Sequence, residues 1–238
     1  MWIFIFFTLK DCDFDKKICE KEKMFKRRMK MKAYKLKITL ADTHIPVWRE
    51  VMIPSGITFE RLHEILQGVM GWYDYHLYEY RFGNVVITSD EEALAESEYF
   101  KTPEGEEQLK KMKNNIFFME RKEILKRMTE EIDEYLENNK KFEYIYDFGD
   151  YWEHKVKILD IEEDYPYEYP KVLKAKGNCP PEDCGGTGGY EIFLNILTNK
   201  SHPEYEENKI WGEEQGYVDY DIEETNEYLK DNFSNDIE

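Results

Sequence analysis

Apolar and polar residues alternate through YKLKITLAD (34 to 42), which puts Tyr34, Leu36, Ile38 and Leu40 on one face and mostly basic residues on the other. A period of two is that of a half-buried strand. VWREVMIP (47 to 54) follows a short Pro-bearing turn and makes a strand pair with it. In TFERLHEILQGVMG the period lengthens, and Phe59, Leu62, Ile65, Leu66, Val69 and Met70 form one helical stripe with Thr58 at the N-cap and Gly71 at the end. HLYEYRFG (76 to 83) and NVVIT (84 to 88) read as further strands. Composition then changes to SDEEALAESEYFKTPEGEEQLKK, which marks an insertion over about 90 to 140. Within it Ile124, Leu125, Met128, Ile132, Tyr135 and Leu136 recur at helical spacing, so a helix laid over the sheet is predicted there.

Strand character returns in FEYIYDF and WEHKVKILDIEED and, more weakly, in KVLKAKG. A loop over 177 to 189 leads into three helical patterns, YEIFLNILTN, PEYEENKIWGEEQG and DIEETNEYLKDN. The order predicts a single α+β domain over 31 to 230, with a mainly antiparallel sheet packed by helices and a helical C-terminal part. Residues 231 to 238 are expected to be a tail. The apolar run in the first residues lacks a preceding basic region and a small-residue cleavage site, and is too short to span a bilayer. Residues 1 to 30 are accordingly expected to be a basic extension or to precede the true start, with Met24, Met29 and Met31 as later starts.

Charge narrows the function. The chain carries a formal net charge of -18, which opposes a phosphate backbone because each contact with nucleic acid requires a Lys or Arg. Generic nucleic-acid binding is disfavoured, apart from the basic arm of residues 21 to 37, where nine Lys and Arg stand against Glu22 alone. Residues 201 to 238 hold thirteen acids against Lys209 and Lys230 and read as solvated helical faces. Four cysteines in a chain of 238 residues do not make a disulfide scaffold, and a reducing cytoplasm is the expected setting.

Two stretches concentrate reactive side chains. In YDFGDYWEH (146 to 154), Gly149-Asp150 suits a type II′ turn, which would pair Phe148 with Tyr151, Asp147 with Trp152 and Ile145 with His154. That register makes Asp147 and His154 diagonal neighbours, an arrangement that serves equally a general base, a metal-binding imidazole or a structural hydrogen bond. Asp150 and His76 complete the candidate catalytic set. GNCPPEDCGGTGGY supplies Glu182, Asp183, Cys179 and Cys184; its glycines lack the ending of a P-loop, and the two acids repel an anion. Cys179 and Cys184 are spaced more widely than a common zinc knuckle and have no second cysteine pair, so a metal site there would need His154, His76 or His202 from elsewhere.

These strings resemble those of the plasmid pRiA4b ORF-3-like family, in IPVWREVMIPSGITFERLHEILQGVMGW, HLYEYRFG, YDFGDYWEH, PPEDCGGTGGY and HPEY followed by IWG, over about Tyr34 to Leu229. The resemblance implies an α+β fold and a link to plasmids or mobile elements, and it brings no catalytic residues with it. The residues argue against a recombinase, since seven arginines are scattered from Arg27 to Arg127 and none lies in the two signature strings.

Two classes of function remain. The first is a non-enzymatic binding or accessory module that meets a protein partner through an exposed aromatic face, with Tyr146, Tyr151, Trp152 and Trp211 as anchors and Glu182 and Asp183 beside them. The alternative is a hydrolase-like or metal-dependent enzyme using His154 with Asp147 and the Cys179-Cys184 loop. Absence of a local nucleophile-base spacing favours the first, with no cofactor expected, although a bound divalent metal is compatible with the residues. Convergence in one cleft separates the two.

Overall fold

The computed structural model describes residues 31–113 and 123–234. The first strand pair forms as the alternation requires: β1 (Met31–Leu40) runs antiparallel to β2 (Trp48–Pro54), and Tyr34, Leu36 and Ile38 are fully buried. Helix α1 (Phe59–Met70) lies on that face; the Thr58 side chain accepts from Arg61 N–H, and Gly71 closes it with φ 95°. β3 (Tyr78–Phe82) and β4 (Val85–Thr88) follow as an antiparallel pair.

The insertion differs from its prediction. It opens with α2 (Glu91–Tyr99) and α3 (Pro103–Met112), and the segment expected to be helical is instead strand β5 (Ile124–Arg127), a turn and the short helix α4 (Asp133–Asn138). Tertiary hydrogen bonds override the local period. β5 pairs in parallel with β4, while the carbonyls of Met128 and Glu130 accept from Glu60 and Phe59 at the start of α1, and Ile132 N–H donates to Ile57. Backbone spent on these contacts is unavailable to a helix, yet Met128, Ile132 and Leu136 still reach the core.

β6 (Lys141–Tyr146), β7 (Trp152–Tyr165) and β8 (Lys171–Lys176) complete one sheet in the order β5-β4-β3-β6-β7-β1-β2-β8, with β4-β5 the one parallel pair among the described strands. α5 (Gly186–Thr198), α6 (Tyr205–Glu214) and α7 (Ile222–Phe233) follow, which makes the fold α+β with a helical C-terminal part. α7 packs against α1 and the edge strand β8, whose Val172 exchanges two hydrogen bonds with the Asn226 side chain. No described helix is long and apolar enough to cross a membrane. Residues 1 to 30, with Cys12, Cys19 and most of the basic arm, lie outside the described residues.

The β6-β7 hairpin forms, but one residue out of the predicted register. Tyr146 pairs with Trp152, Ile145 with Glu153 and Tyr144 with His154. The connection is five residues, closed by Tyr151 N–H on Asp147 C=O at 2.7 Å. Gly149 does not take the positive φ of a type II′ turn; Asp147 (φ 57°) and Tyr151 (φ 56°) turn the chain instead. Asp147 leaves the ladder because its N–H donates to Leu77 C=O, on the side of β3. Since side chains alternate, a slip of one residue exchanges faces. Tyr144 and Tyr146 therefore join Trp152 and His154 in the core, and the expected exposed aromatic face is lost.

Candidate functional site

Three connections meet at one end of the sheet: residues 72 to 77 between α1 and β3, 147 to 151 between β6 and β7, and 177 to 185 between β8 and α5. Backbone bonds lock them together. Asp147 N–H donates to Leu77 C=O, Tyr73 N–H donates to Glu182 Oε1 at 2.9 Å, Trp72 Nε1–H donates to Pro180 C=O at 3.0 Å, and Gly185 N–H donates to Asp150 Oδ2 at 3.0 Å. The tightness of the last loop explains its glycines. A Cβ on Gly186 would sit 2.7 Å from Asp150 C=O, and one on Gly189 would sit 1.7 Å from Cys184 C=O.

At the junction His76 faces three carboxylates. Its Nε2 lies 3.7 Å from Asp147 Oδ2, 3.8 Å from Glu182 Oε2 and 3.4 Å from Asp183 Oδ1. That nitrogen is shielded from solvent and has no hydrogen-bond partner among the described residues. Each buried carboxylate is held by its other oxygen. Asp147 Oδ1 accepts from Gly149 N–H at 2.8 Å, and Glu182 Oε1 accepts from Tyr73 N–H and, at 3.1 Å, from the Tyr146 hydroxyl. Tyr146 in turn accepts from Tyr75 N–H, so one buried hydroxyl fixes two of the three connections. Supporting bonds of this kind orient metal ligands.

Donor atoms of His76, Asp147 and Asp183 all lie within 4.8 Å of one another, and Asp183 is largely exposed, which leaves the cluster open on one side. One imidazole and two carboxylates around a common point, with Glu182 Oε2 also 3.8 Å from that imidazole, can hold a divalent cation. Burial raises the pKa of the nearly inaccessible Glu182 carboxyl, and a cation beside it would act in the opposite direction. The backbone is unusual here as well. Asp74, Asp147 and Asp183 all take left-handed φ between 54° and 59°, a region that Asp tolerates better than most residues and that tends to accumulate at functional sites.

The structure divides the predicted residues. His76, Asp147, Glu182 and Asp183 come together, and Asp150 braces the loop beside them. His154 does not join them: it is fully buried, its Nδ1–H donates to Tyr144 C=O at 3.2 Å, and it packs against the rings of Tyr144 and Trp72. Desolvation pushes its pKa down to about 4. Cys179 and Cys184 are free thiols outside the cluster; burial raises both, Cys184 to about 12, which disfavours the thiolate a metal requires. Tyr146 and Trp152 are core residues and cannot anchor a partner, whereas Tyr151 stays half exposed. His202 accepts from Glu204 N–H in the turn before α6.

A second polar group is absent from the sequence reading. His63, buried on α1, contacts Asp74 Oδ1 through Nε2 at 2.6 Å and the Tyr144 hydroxyl through Nδ1 at 2.8 Å, under the stacked ring of Tyr78. Gln67 Nε2–H donates to the same hydroxyl, which leaves the Tyr144 proton for Nδ1 and makes His63 the donor to Asp74. Its burial lowers the pKa against the pull of Asp74, in keeping with a neutral ring. Its place one residue after Leu62, on the apolar stripe, was the available signal.

Comparison with known proteins identifies the family and the fold without adding an activity. Over 187 residues, 79% of this chain and 82% of the relative, the sequence is 35% identical to the uncharacterized protein y4hQ of Sinorhizobium fredii. A crystal structure of a protein of unknown function, MM3350 from Methanosarcina mazei Go1, is similar with a TM-score of 0.61 and 28% identity, covering 82% of this chain and 98% of that one. The family model of the plasmid pRiA4b ORF-3-like proteins matches residues 32–228, and the chain belongs to that family.

Proposed function

We propose that the protein binds a divalent metal ion through His76, Asp147, Glu182 and Asp183 and supports hydrolase-like, metal-dependent chemistry there. The observation that carries this reading is the shielded, unbonded Nε2 of His76 facing three carboxylates, two of which are pinned by one oxygen and aim the other at it. A histidine serving only as scaffold would be expected to bond one of those oxygens directly. The mixed set of one nitrogen and several oxygens suits manganese, iron(II) or zinc better than a thiolate-seeking ion. A bound ion of that class supplies Lewis acidity and an acidified water, the ingredients of hydrolysis at neutral pH.

The chain's own residues shape what approaches. Tyr75, Leu77, Phe148 and Tyr151 project exposed from the two connections that carry His76 and Asp147, and would offer apolar contact to a protein or peptide. The free thiols suit a reducing cytoplasm.

The test is elemental analysis of the purified protein, followed by calorimetric titration of the metal-stripped protein with manganese and zinc. One ion per chain is expected, with affinity at least about a hundredfold weaker in His76→Ala and in Asp183→Asn, since losing a direct ligand costs no less than the upper range for losing a supporting partner. Equal binding by wild type and His76→Ala, or no binding by wild type, overturns the proposal.

A further inference from the structure

Beside the Trp72-Tyr73 segment, two hollows of about 470 Å³ and 420 Å³ adjoin, sharing Gly68, Trp72, Tyr73 and Tyr228. Each exposed tyrosine rests on a glycine. A Cβ on Gly68 would lie 2.5 Å from the Tyr228 ring, and one on Gly216 would lie 2.7 Å from the Tyr73 hydroxyl. Side chains there would displace the two rings that border both hollows. Both hollows fall in the size range of small-molecule sites.

The charge of the walls selects the ligand. Asp219, Asp221 and Glu224 line the larger hollow, which has no Lys or Arg among the described residues of its wall. Asp219 accepts from the Asn178 side chain and Asp221 caps α7, so both are held in place without being neutralised. Asp74 and Glu64 line the other hollow; its one cation, Arg61, pairs with Glu64 and lies over Phe233. Arg49 stacks on Tyr220 at 3.6 Å, but it is fully buried and donates to the carbonyls of Val69, Trp48 and Lys176. Acids therefore stand at both ends of a groove whose waist is two tyrosine rings. Ammonium groups bind carboxylates and aromatic faces, and a flexible methylene chain fits an apolar waist between them.

We propose that this groove binds a linear aliphatic polyamine, with one ammonium group among Asp219, Asp221 and Glu224, the methylene chain between Tyr73 and Tyr228, and a second ammonium group beside Asp74. The proposal does not depend on the metal reading, because none of the four metal-site residues lines either hollow. Calorimetric titration with spermidine, n-butylamine and 1,8-octanediol tests it, using the full chain. Saturable spermidine binding is expected, with weaker binding of the monoamine and none of the diol. The pair Asp219→Asn/Glu224→Gln should lose about tenfold in affinity, and Tyr228→Leu should weaken binding as well. Glu92→Gln/Glu96→Gln, the same charge change on α2, and His76→Ala should bind as wild type does. An equal loss in both acidic pairs would reduce the effect to the general charge of the protein and overturn the proposal. Absence of spermidine binding overturns it too, and binding of an oligolysine peptide in its place would assign the groove to basic peptides. Circular dichroism confirms that each variant is folded.

Discussion

His154 offers the sharpest separation between scaffold and site. Its ring is fully buried, makes one hydrogen bond and leaves Nε2 without a partner, so the neutral form is the one the core accepts. Burial depresses its pKa from 6.5 to about 4. The sign follows: in the unfolded chain the imidazole takes up a proton below its ordinary pKa, whereas the folded ring resists until the pH falls further. Stability is therefore present above pH 6.5 and is lost progressively as the pH falls towards 4. A shift of this size corresponds to about 2 kcal/mol lost between neutral pH and about pH 5, rising to about 3 kcal/mol near pH 4. Carboxylates titrate in the same range, so the measurement is a difference. Urea unfolding of wild type and His154→Gln across this range should give a pH dependence shallower by about 2 kcal/mol in the variant, over a uniform loss of about 1 to 3 kcal/mol from imperfect burial of the amide. Metal content should not change. Parallel pH profiles would refute the buried neutral ring, and loss of metal with intact stability would return His154 to the site.

Tyr146→Phe removes the hydroxyl that joins Glu182 to Tyr75 N–H; chemical denaturation should show a loss of about 1 to 3 kcal/mol, and metal titration a loss of about tenfold in affinity. Gly189→Ala would place a Cβ 1.7 Å from the Cys184 carbonyl. A cost of about 3 kcal/mol or more is expected in urea melts, and a change under about 1 kcal/mol would show that the loop relaxes freely.

Much of the fold was legible because its signals are local. Tyr34, Leu36, Ile38 and Leu40 alternate, and Thr58 and Gly71 bound a helix whose stripe is unbroken. Illegible parts were decided at a distance. Nothing within residues 124 to 136 says that the carbonyls of Met128 and Glu130 are claimed by the start of α1. Hairpin register failed for the same reason, since Asp147 N–H is taken by Leu77, seventy residues earlier in the chain, and Gly149 was credited with a turn that Asp147 and Tyr151 make. That one-residue error moved His154 to the wrong neighbour. Glu182, Asp183 and His76 were recognisable by type, but their convergence depends on three connections meeting, and sequence spacing does not encode such a meeting.

Asp183 shows how strain and function can be told apart. It is exposed and holds φ 54°, and its carboxylate faces the His76 imidazole. A residue kept there for stability would be glycine, which takes left-handed φ without the cost of a Cβ, about 1 kcal/mol or more for most other residues. Aspartate reduces that cost without removing it. Asp183→Gly should therefore leave stability unchanged or raise it by up to about 1 kcal/mol, while Asp183→Ala, which keeps the Cβ and loses the polar group, should fall about 1 kcal/mol below the glycine variant. Both should lose metal affinity to the same degree, because both lose the carboxylate. This pattern, stability divided by backbone and binding united by chemistry, is the one expected when strain is retained for a ligand. Thermal melts and metal titrations of the three proteins decide it. A glycine variant that is clearly less stable than wild type would mean that Asp183 serves the fold, and metal binding unchanged in both variants would remove it from the site.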